Sequence, residues 1–476
     1  MSARSAEARS QTTLSPQDTV ERALAAAHSD DCIVIADESS SANLRWAGNT
    51  LTTNGVARSR QLTVIAISRG DGEAMVGVVS RAGVLPHQIP GIVAEAEFAA
   101  AEGSPAEDAQ PLVASMTDGA PGPAWQQPPV VTEIGVFARF AAELGATFEA
   151  AASGARKLYG FAEHQLTSSY VGTSAGLRLR HDQPTGRLEL NAKSADLARS
   201  AWAGMGSRDF TDVDVARLDA ELAQRLDWAS RSVELPAGRY ETLLPPTAVA
   251  DLLTYLYWSA GAKDALDGRT VFSKPGGGTR IGDQLARLPL SLHSDPTAPG
   301  LECAPFVVAH ASSRTSSVFD NGLPVARTDW IADGALAALT QTRHTAQLSA
   351  QPVTPAIDNL ILTAPGAEGT IADLVSRTSR GLLLSCLWYV REVDPQTLLL
   401  TGLTRDGVYL VENGEVTGAV NNFRFNESPV GMLSRVTEIG TTTPTLPREW
   451  SDFFTRAAMP PIRVEGFNMS SVSQAS

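Results

Sequence analysis

The strongest local constraint on the fold is an Asn-Gly pair between two apolar runs, in DGVYLVENGEVTGAV (406–420). Both residue types tolerate positive φ, which the two central residues of a type I′ turn require, and this turn joins neighbouring antiparallel strands. The sequence therefore predicts a β-hairpin that turns at Asn413 and Gly414. Similar signals at Gly48-Asn49 and in RGDG (69–72) predict two more hairpins in the N-terminal part.

Helical patterns accompany the strands in the first half of the chain. Ser15 followed by Pro16 marks a helix start, and residues 212–230 repeat apolar residues at helical spacing. Residues 103–129 are rich in Pro, Gly, Ala and Ser and are predicted to form a loop. Residues 177–193 are interpreted as strands joined by a turn at Pro184-Thr185-Gly186.

Past about residue 265 the pattern becomes mostly strand-like. Helix-plus-strand segments followed by runs of strands indicate an α+β fold. We predict an N-terminal domain, residues 1–240, in which helices pack on a mixed or antiparallel sheet. Residues 241–476 are predicted to form a strand-rich, barrel-like domain of mostly antiparallel strands.

Composition narrows the class of protein. The chain has 476 residues, a formal net charge of −14 and a pI near 5.0, whereas nucleic-acid binding needs clustered Lys and Arg. The polar N-terminus lacks the apolar segment of a signal peptide, and the longest apolar run, 381–390, is about half the length that spans a bilayer. Three separated cysteines fit a reducing compartment. We expect a cytoplasmic protein that binds neither nucleic acid nor a membrane.

The histidines lack the spacing of a helical zinc motif such as HExxH, so the pattern predicts no metal site in this chain. Two groups of histidine and aspartate fall in turn-like segments. A third group contains the residue types of a hydrolase triad, but its serines lack the strand–turn–helix context of a nucleophilic serine. We interpret the two His–Asp groups as chance neighbours and the members of the third group as polar surface residues. The groups are His293 with Asp295, His181 with Asp182, and His164 with Glu163, Ser168 and Ser169.

Two other features carry weaker chemical signals. Cys303 and Cys386 have apolar neighbours, which raise a thiol's pKa and favour a buried, inert role over a nucleophilic one. The segment SKPGGGTRIGD (273–283) lacks the Gly-Lys-Ser/Thr of a phosphate-binding loop. We interpret it as a flexible connection or lid.

The segment NNFRFNESP (421–429) alternates phenylalanine with amide and charged residues. Such a strand can offer backbone and side-chain hydrogen bonds to an extended peptide, although an ordinary half-exposed strand fits the pattern equally. The predicted peptide contacts are Asn421, Asn422, Arg424 and Asn426, with Arg405 and Asp406 on the preceding connection as further candidates.

The helix TAVADLLTYLYWSA (247–260) carries three large aromatic residues, Tyr255, Tyr257 and Trp258. Aromatic side chains with polar tips are favoured at protein interfaces and in pockets. We predict an interface role for these three residues, with an ordinary core helix as the alternative.

Several segments, in their order and spacing, resemble the TldD/PmbA metallopeptidase family and specifically its TldE (PmbA) branch. An N-terminal stretch, ANLRWAGNTLTTNG (42–55), is also similar to the family's opening strand pair. The other segments are SVFDNGLPVARTDWIADGAL (317–336), TRHTAQ (342–347), IDNLILTAPGAEGTIADLVSRTSRGLLL (357–384) and REVDPQTLLLTGLTRDGVYLVENGEVTGAVNNFRFNESP (391–429).

The resemblance implies a bacterial or archaeal cytosolic peptidase that works as a heterodimer on small or unfolded peptides. In this family the TldD subunit carries HExxxH on a helix, with a distant cysteine, as a zinc site. Here Thr254, Tyr255 and Ser259 stand at the positions of the two histidines and the glutamate, and the C-terminal segments lack the cysteine. The resemblance thus implies no catalytic or metal residue in this chain and zinc in the partner subunit.

The leading hypothesis is therefore a zinc-free subunit that shapes the cavity and positions the peptide beside a TldD-type partner. Two alternatives stay open. One is a stand-alone peptidase that uses Cys386 or an unrecognised site, and the other is a peptide-binding scaffold without hydrolytic activity.

Overall fold

A computed structural model describes residues 14–114, 122 and 124–473. Residues 1–13, which carry most of the signal-peptide argument, lie outside the described residues. So do residues 115–121 and 123 of the predicted loop 103–129. The described remainder of that loop contains neither helix nor strand, apart from one bridge between Pro105 and Met75.

The N-terminal part forms a six-stranded sheet in which every neighbouring pair is antiparallel, in the order β3-β2-β1-β4-β5-β6. The predicted turns are confirmed, because Gly48 and Asn49 have φ of 60° and 65°, and Asp71 and Gly72 have φ of 53° and 84°. The six strands are β1 (Asp31–Ala47), β2 (Leu51–Gly70), β3 (Glu73–Ala82), β4 (Arg156–Thr173), β5 (Arg178–Ser194) and β6 (Ser200–Ser207).

The predicted turn at Pro184 is wrong. β5 runs through this position as one strand, and Pro184 lies opposite Leu166 of β4. On its other side, β5 pairs with β6 only from Gly186 onwards. Pro184 therefore lies where β5 has one partner, and proline is tolerated in strands at such edges because it donates no hydrogen bond.

Helices cover one face of this sheet. Val34 of β1 packs in one cluster with residues of the first two helices, and Leu44 of the same strand packs in another with residues of the next two. Helix and sheet approach closely at Gly77, where an added Cβ would lie 2.0 Å from the carbonyl oxygen of Ala96. The helices are α1 (Pro16–Ala26), α2 (Ile89–Ala101), α3 (Ala138–Ser153) and α4 (Val215–Trp228).

The opposite face of the sheet contacts the C-terminal part of the chain. Side chains alternate along a strand, so Ile33 and Ile35 of β1 point away from the helices. They form a buried cluster with Phe306, Val318 and Phe319. The two halves of the chain therefore share an apolar interface.

The C-terminal part contains fourteen strands among the described residues, in two groups. They are β7 (Ser232–Val233), β8 (Gly238–Leu244), β9 (Ser291–Ser294), β10 (Thr328–Ala332), β11 (Ala335–Leu336), β12 (Leu360–Thr363), β13 (Arg380–Asp394), β14 (Leu399–Glu412), β15 (Glu415–Val420), β16 (Phe423–Glu427), β17 (Val436–Ile439), β18 (Thr443–Thr445), β19 (Ala457–Met459) and β20 (Ile462–Val472).

Five of these strands close into a barrel. The order is β13-β8-β20-β16-β14, and the pairing of β13 with β14 closes the ring. A second sheet has the order β11-β10-β9-β12-β19-β18. The α+β fold with a barrel-like C-terminal part is thus confirmed, as is the hairpin at Asn413 and Gly414, whose φ values are 53° and 83°. The predicted domain division after residue 240 falls inside β8 and stays a prediction.

Five short or medium helices accompany these strands: α5 (Pro246–Trp258), α6 (Ala262–Leu266), α7 (Arg343–Ser349), α8 (Ile371–Ser376) and α9 (Pro429–Leu433). The predicted buried strand at 381–390 is confirmed as part of β13. No helix among the described residues is long and apolar enough to cross a membrane.

Candidate functional site

Helix α5 lies between the barrel and the second C-terminal sheet, in contact with β13 and β19. Ten of its thirteen residues are buried, so the helix is apolar on nearly all sides. Its tyrosine Tyr257 donates a hydrogen bond to the carbonyl oxygen of Ile357 (3.0 Å) and accepts one from the Ile357 amide (2.7 Å). A helix of this kind is a central support of the C-terminal core.

The three positions assigned to the family's zinc motif do not fit a zinc site. Zinc in proteins binds imidazole, thiolate or carboxylate groups. Here Thr254 is fully buried, Ser259 donates its hydroxyl to the carbonyl oxygen of Tyr255 (2.9 Å), and burial raises the pKa of the Tyr255 phenol. Among the described residues, no group of three or more His, Cys, Asp or Glu side chains is arranged to hold a metal.

Asp251, one turn before Thr254, is the only acidic residue of α5. One of its carboxyl oxygens accepts a hydrogen bond from the Glu449 amide (2.9 Å), and its carbonyl oxygen accepts one from the indole of Trp450 (2.8 Å). Burial raises the pKa of this carboxyl well above its usual value. Asp251 therefore fastens the segment 449–450 to the helix.

Beside this segment lies a buried arginine with its contact residues, which we call the Arg448 cluster: Arg448, Asp406, Cys386, Trp202 and the partly exposed Trp388. The Arg448 guanidinium contacts the Asp406 carboxylate at 2.6 Å and the Cys386 sulfur at 2.5 Å. It lies between the rings of Trp202 and Trp388, 4.9 and 5.0 Å from their centroids. Because Trp202 belongs to β6 and Trp388 to β13, the cluster joins the N-terminal sheet to the barrel.

The cluster determines the chemistry of Cys386. Burial raises the pKa of this thiol to about 12, although the nearby Arg448 guanidinium acts in the opposite direction. The thiolate is the nucleophilic form of cysteine, so Cys386 at neutral pH is a buried thiol. Cys303 is similar, because burial raises its pKa to about 11. This geometry favours the inert role for both residues.

The three aromatic residues predicted to form an interface have different surroundings. Tyr257 is a core residue with 5% of its surface exposed, which favours the core-helix alternative for this residue. Tyr255 is half-buried and packs on Trp450 with ring centroids 5.5 Å apart. Trp258 is 40% exposed at the end of the helix. Interface roles for Tyr255 and Trp258 stay predictions.

The prediction that segment 421–429 binds an extended peptide as a strand requires unpaired backbone hydrogen-bonding groups along one strand edge. β16 pairs with β14 along one edge and with β20 along the other. An extended peptide therefore cannot add to β16 as a further strand, and that element of the prediction is corrected.

The predicted peptide contacts then depend on side chains. The Asn421 side chain accepts a hydrogen bond from the Leu235 amide (2.8 Å), and Arg424 is exposed. Asn422 and Asn426 are half-buried on the same segment, as is Arg405 on β14. Substrate contacts by these residues stay predictions.

Asp406 is different from the other candidates in this group. Its side chain is 10% exposed, accepts a hydrogen bond from the Ser200 hydroxyl (2.9 Å) and pairs with Arg448. Its φ of 50° is a left-handed conformation. Asp406 is therefore a buried structural carboxylate, and the sequence prediction of a peptide contact is wrong for this residue.

The triad drawn around His164 is not assembled. His164 is buried, so its interpretation as a surface residue is wrong. Its Nδ1 lies 2.7 Å from the Thr132 hydroxyl and its Nε2 2.7 Å from the carbonyl oxygen of Arg208. Ser168 instead donates to the Asp182 carboxylate (2.5 Å). Glu163 pairs with an arginine, Arg187, at 2.9 Å.

Ser169 belongs to a separate polar contact, which sequence spacing did not reveal. Its hydroxyl donates to one oxygen of Asp37 (2.5 Å), and the other oxygen lies 2.7 Å from Nε2 of His310. The aspartate lies between serine and histidine, whereas a hydrolase triad needs the histidine in contact with the serine. This contact joins the sheet to the C-terminal segment that covers it.

The remaining His–Asp pairs are also divided between different partners. His181 contacts Gln183 at 3.0 Å, and Asp182 pairs with Arg180 at 2.7 Å. Asp295 accepts from the amide and hydroxyl of Thr297 (2.8 and 2.7 Å) rather than from His293.

The glycine-rich segment 273–283 closes a tight turn. Gly276, Gly277 and Gly278 have φ of 88°, 110° and 85°. The two cations of the segment, Lys274 and Arg280, both pair with Asp283, at 3.6 and 3.0 Å. Asp283 therefore engages both cations and offsets one of their two charges, which favours a connection over a phosphate site.

The Arg448 cluster is the main feature that sequence reasoning missed. Its members come from four separate parts of the chain, and an arginine between two tryptophans has no local spacing signal. The only hint in the sequence is the Asp406-Gly407 pair, because aspartate followed by glycine is typical of a turn. In the structure Asp406 has the left-handed φ that such a pair favours.

The comparisons with known proteins agree with this fold. No curated protein matches the sequence. The structure is similar to TldE from Thermococcus kodakarensis, with a TM-score of 0.75 and 15% identity over 95% of this chain and 99% of that one. It is also similar to a protein from Thermotoga maritima named as a proposed modulator of a DNA gyrase, with a TM-score of 0.74 and 16% identity over 95% and 99%.

A third structure, a proposed modulator of DNA gyrase from Bacteroides thetaiotaomicron, has a TM-score of 0.71 and 13% identity, and the match covers 96% of this chain and 98% of that one. The sequence itself matches a family model across the barrel and the second sheet. Residues 237–471 match the PmbA/TldA metallopeptidase C-terminal domain. With this domain on that fold, the chain belongs to the TldD/PmbA metallopeptidase family.

Proposed function

We propose that this chain is the zinc-free subunit of a heterodimeric TldD/TldE-type peptidase of the cytoplasm. It forms one wall of the peptide-binding cavity and positions the peptide, while a TldD-type subunit supplies the zinc ion and the general base. Its substrates are small or unfolded peptides.

One observation carries this proposal: the side chains at the three motif positions of α5. Thr254 is fully buried, and Ser259 is bonded to the helix backbone. A threonine, a tyrosine and a serine supply neither the imidazole ligands nor the carboxylate base that zinc-dependent peptide hydrolysis needs. The family membership supports a role in peptide hydrolysis, and the composition of α5 favours the zinc-free side of such a pair.

The proposal is tested with purified chains. This chain, and an HExxxH-bearing TldD-type chain from the same genome, are assayed on an unstructured fluorogenic peptide alone and mixed, with and without a chelator. We expect hydrolysis by the mixture, loss of it with the chelator, and no hydrolysis by this chain alone. Substituting the motif glutamate of the partner should abolish activity of the mixture.

Hydrolysis by this chain alone would contradict the proposal. If a thiol reagent blocked that activity and Cys386→Ala removed it, the stand-alone cysteine peptidase would be the correct alternative. Peptide binding by this chain, together with no hydrolysis in any mixture, would favour the scaffold.

The peptide-positioning role has its own test. Arg424→Ala and Asn422→Ala should lower the kcat/KM of the mixture without changing the thermal unfolding of this chain. Arg58→Ala is a matched control, because Arg58 is also exposed (61% of its side chain) but lies on the N-terminal sheet. Equal kinetics for all three variants would refute the peptide contacts.

A further inference from the structure

Three segments of the C-terminal part present large apolar side chains to solvent. They are the end of α5, the second half of β13 and the segment 449–454 that follows Arg448. We call the group the aromatic surface. Its members are Trp258 (40% exposed), Trp388 (38%), Tyr389 (55%), Val393 (56%) and Phe453 (75%).

Contacts through buried neighbours hold the three segments side by side. The Trp258 ring lies 5.2 Å from that of Trp450 and 6.2 Å from that of Phe454, the neighbour of Phe453. Glu449, one residue before Trp450, accepts hydrogen bonds from the Tyr389 amide (2.7 Å) and the Val390 amide (3.1 Å). The segment 449–454 therefore connects the helix end to β13.

The backbone at Tyr389 is held in a strained conformation that exposes its ring. Its φ of 58° is rare for a bulky residue, and β13 has a register shift between Trp388 and Arg391. The Glu449 carboxylate, 7% exposed, holds this bulge and pairs with Arg391 at 2.9 Å, and Arg391 stacks on the Tyr389 ring at 4.5 Å. Strain that the surroundings maintain in this way is typical of functional positions.

The size and composition of the surface indicate a protein partner. Aromatic side chains bury roughly 150–250 Å² each, so the exposed fractions correspond to about 400–500 Å² of apolar area. An area of this size matches the largest apolar patch of a typical monomer, which is often functional. It is about half of the roughly 800 Å² that one partner contributes to a standard interface. Trp, Tyr and Arg are also the residue types that dominate binding energy at interface centres.

We propose that the aromatic surface is the centre of the docking surface for the zinc-bearing subunit. This inference rests on the proposed function, which requires one stable protein partner. A peptide side chain would cover only one of the rings, whereas a folded subunit covers them together. Docking here places the partner against the end of α5, the helix on which this chain lacks zinc ligands.

The inference is tested with the double variant Tyr389→Asn/Phe453→Ser. Asparagine tolerates the left-handed conformation of position 389, so the ring is removed without added backbone strain. The matched control is Phe98→Ser, because Phe98 is 67% exposed on α2, outside this surface. The dissociation constant for the TldD-type chain is measured by sedimentation, and thermal unfolding is recorded for each variant alone.

We expect the double variant to bind about thirtyfold more weakly or worse, and the control to bind as the unmodified chain does. Hydrogen exchange on the unmodified proteins provides a second measurement that needs no variant: residues 388–393 and 449–454 should become protected when the complex forms.

Unchanged affinity together with unchanged exchange in these segments would overturn the docking surface but leave the proposed function intact. The proposal would also be overturned if the double variant lost self-association but still bound the TldD-type chain. The aromatic surface would then be covered by a second copy of this chain. No complex between the unmodified chains would refute the proposed function itself, and this inference with it.

Discussion

Replacing Arg448 by methionine should destabilise the folded chain strongly, because it removes the cation from a buried ion pair. The Asp406 carboxylate, 10% exposed, would retain the Ser200 hydroxyl (2.9 Å) as its one donor among the residues that the structure describes. Methionine keeps much of the apolar volume between Trp202 and Trp388, so the loss of charge is the main perturbation.

The magnitude follows from the burial of both partners. The side chains of Arg448 and Asp406 are 9% and 10% exposed, and breaking a buried pair by removing one partner costs about 3–5 kcal/mol. Asp406→Asn should cost a similar amount, since it leaves the guanidinium unpaired. The double variant should cost less than the two single variants together by about 2–3 kcal/mol.

The measurement is urea unfolding at neutral pH, followed by tryptophan fluorescence and circular dichroism. Arg217→Met is the control, because Arg217 is 56% exposed and pairs with Glu221 one turn away on α4. Exposed pairs of this kind contribute about 0.3–0.5 kcal/mol. A midpoint shift for Arg448→Met no larger than that of the control would refute the reasoning, as would strictly additive costs in the double variant.

Four further predictions follow from the structure. Gly77→Ala should destabilise the chain by about 1–3 kcal/mol in urea unfolding, since its Cβ would lie 2.0 Å from the Ala96 carbonyl oxygen; no loss of stability would contradict the close helix–sheet contact. Burial lowers the pKa of His164, so the unfolded chain takes up the proton first and stability should decrease as the pH falls below about 6.5. Thermal unfolding as a function of pH should then have a smaller slope for His164→Gln, and an equal slope would refute this contribution. Cys386→Ala should leave hydrolysis by the two-subunit mixture unchanged, and a thiol reagent should label Cys386 in the native chain far more slowly than in the unfolded one; rapid native labelling would contradict its burial. Arg424→Ala should lower kcat/KM of the mixture by about tenfold if this side chain makes a charge-assisted contact to the peptide, and full activity would argue against such a contact.

The sequence was sufficient for features that depend on neighbouring residues. The turns at Gly48-Asn49, Asp71-Gly72 and Asn413-Gly414 have the positive φ values that their residue types predict. The cap of the first helix is also local, with the Ser15 hydroxyl accepting from the Asp18 amide at 3.0 Å. The turn predicted from the local sequence at Pro184 was wrong, because whether proline interrupts a strand depends on which strands pair with it.

The sequence was also sufficient to identify the side chains at the zinc-motif positions of α5, because no fold can make a threonine or a serine act as an imidazole ligand. The surroundings of its aromatic residues were not: Tyr257 is in the core and Trp258 is at the surface, although they are adjacent in the chain. Which side of a helix is covered depends on the elements packed around it.

Only the tertiary structure decided how distant segments meet. β14 pairs with one edge of β16 and β20 with the other, so neither edge is open to a peptide. The barrel closes through the pairing of β13 with β14. Arg448 contacts Asp406 and two tryptophans, all from other segments of the chain. Local turns and caps are encoded by a few consecutive residues, whereas strand pairing and buried charge pairs depend on contacts between residues far apart in the chain, which its local patterns do not specify.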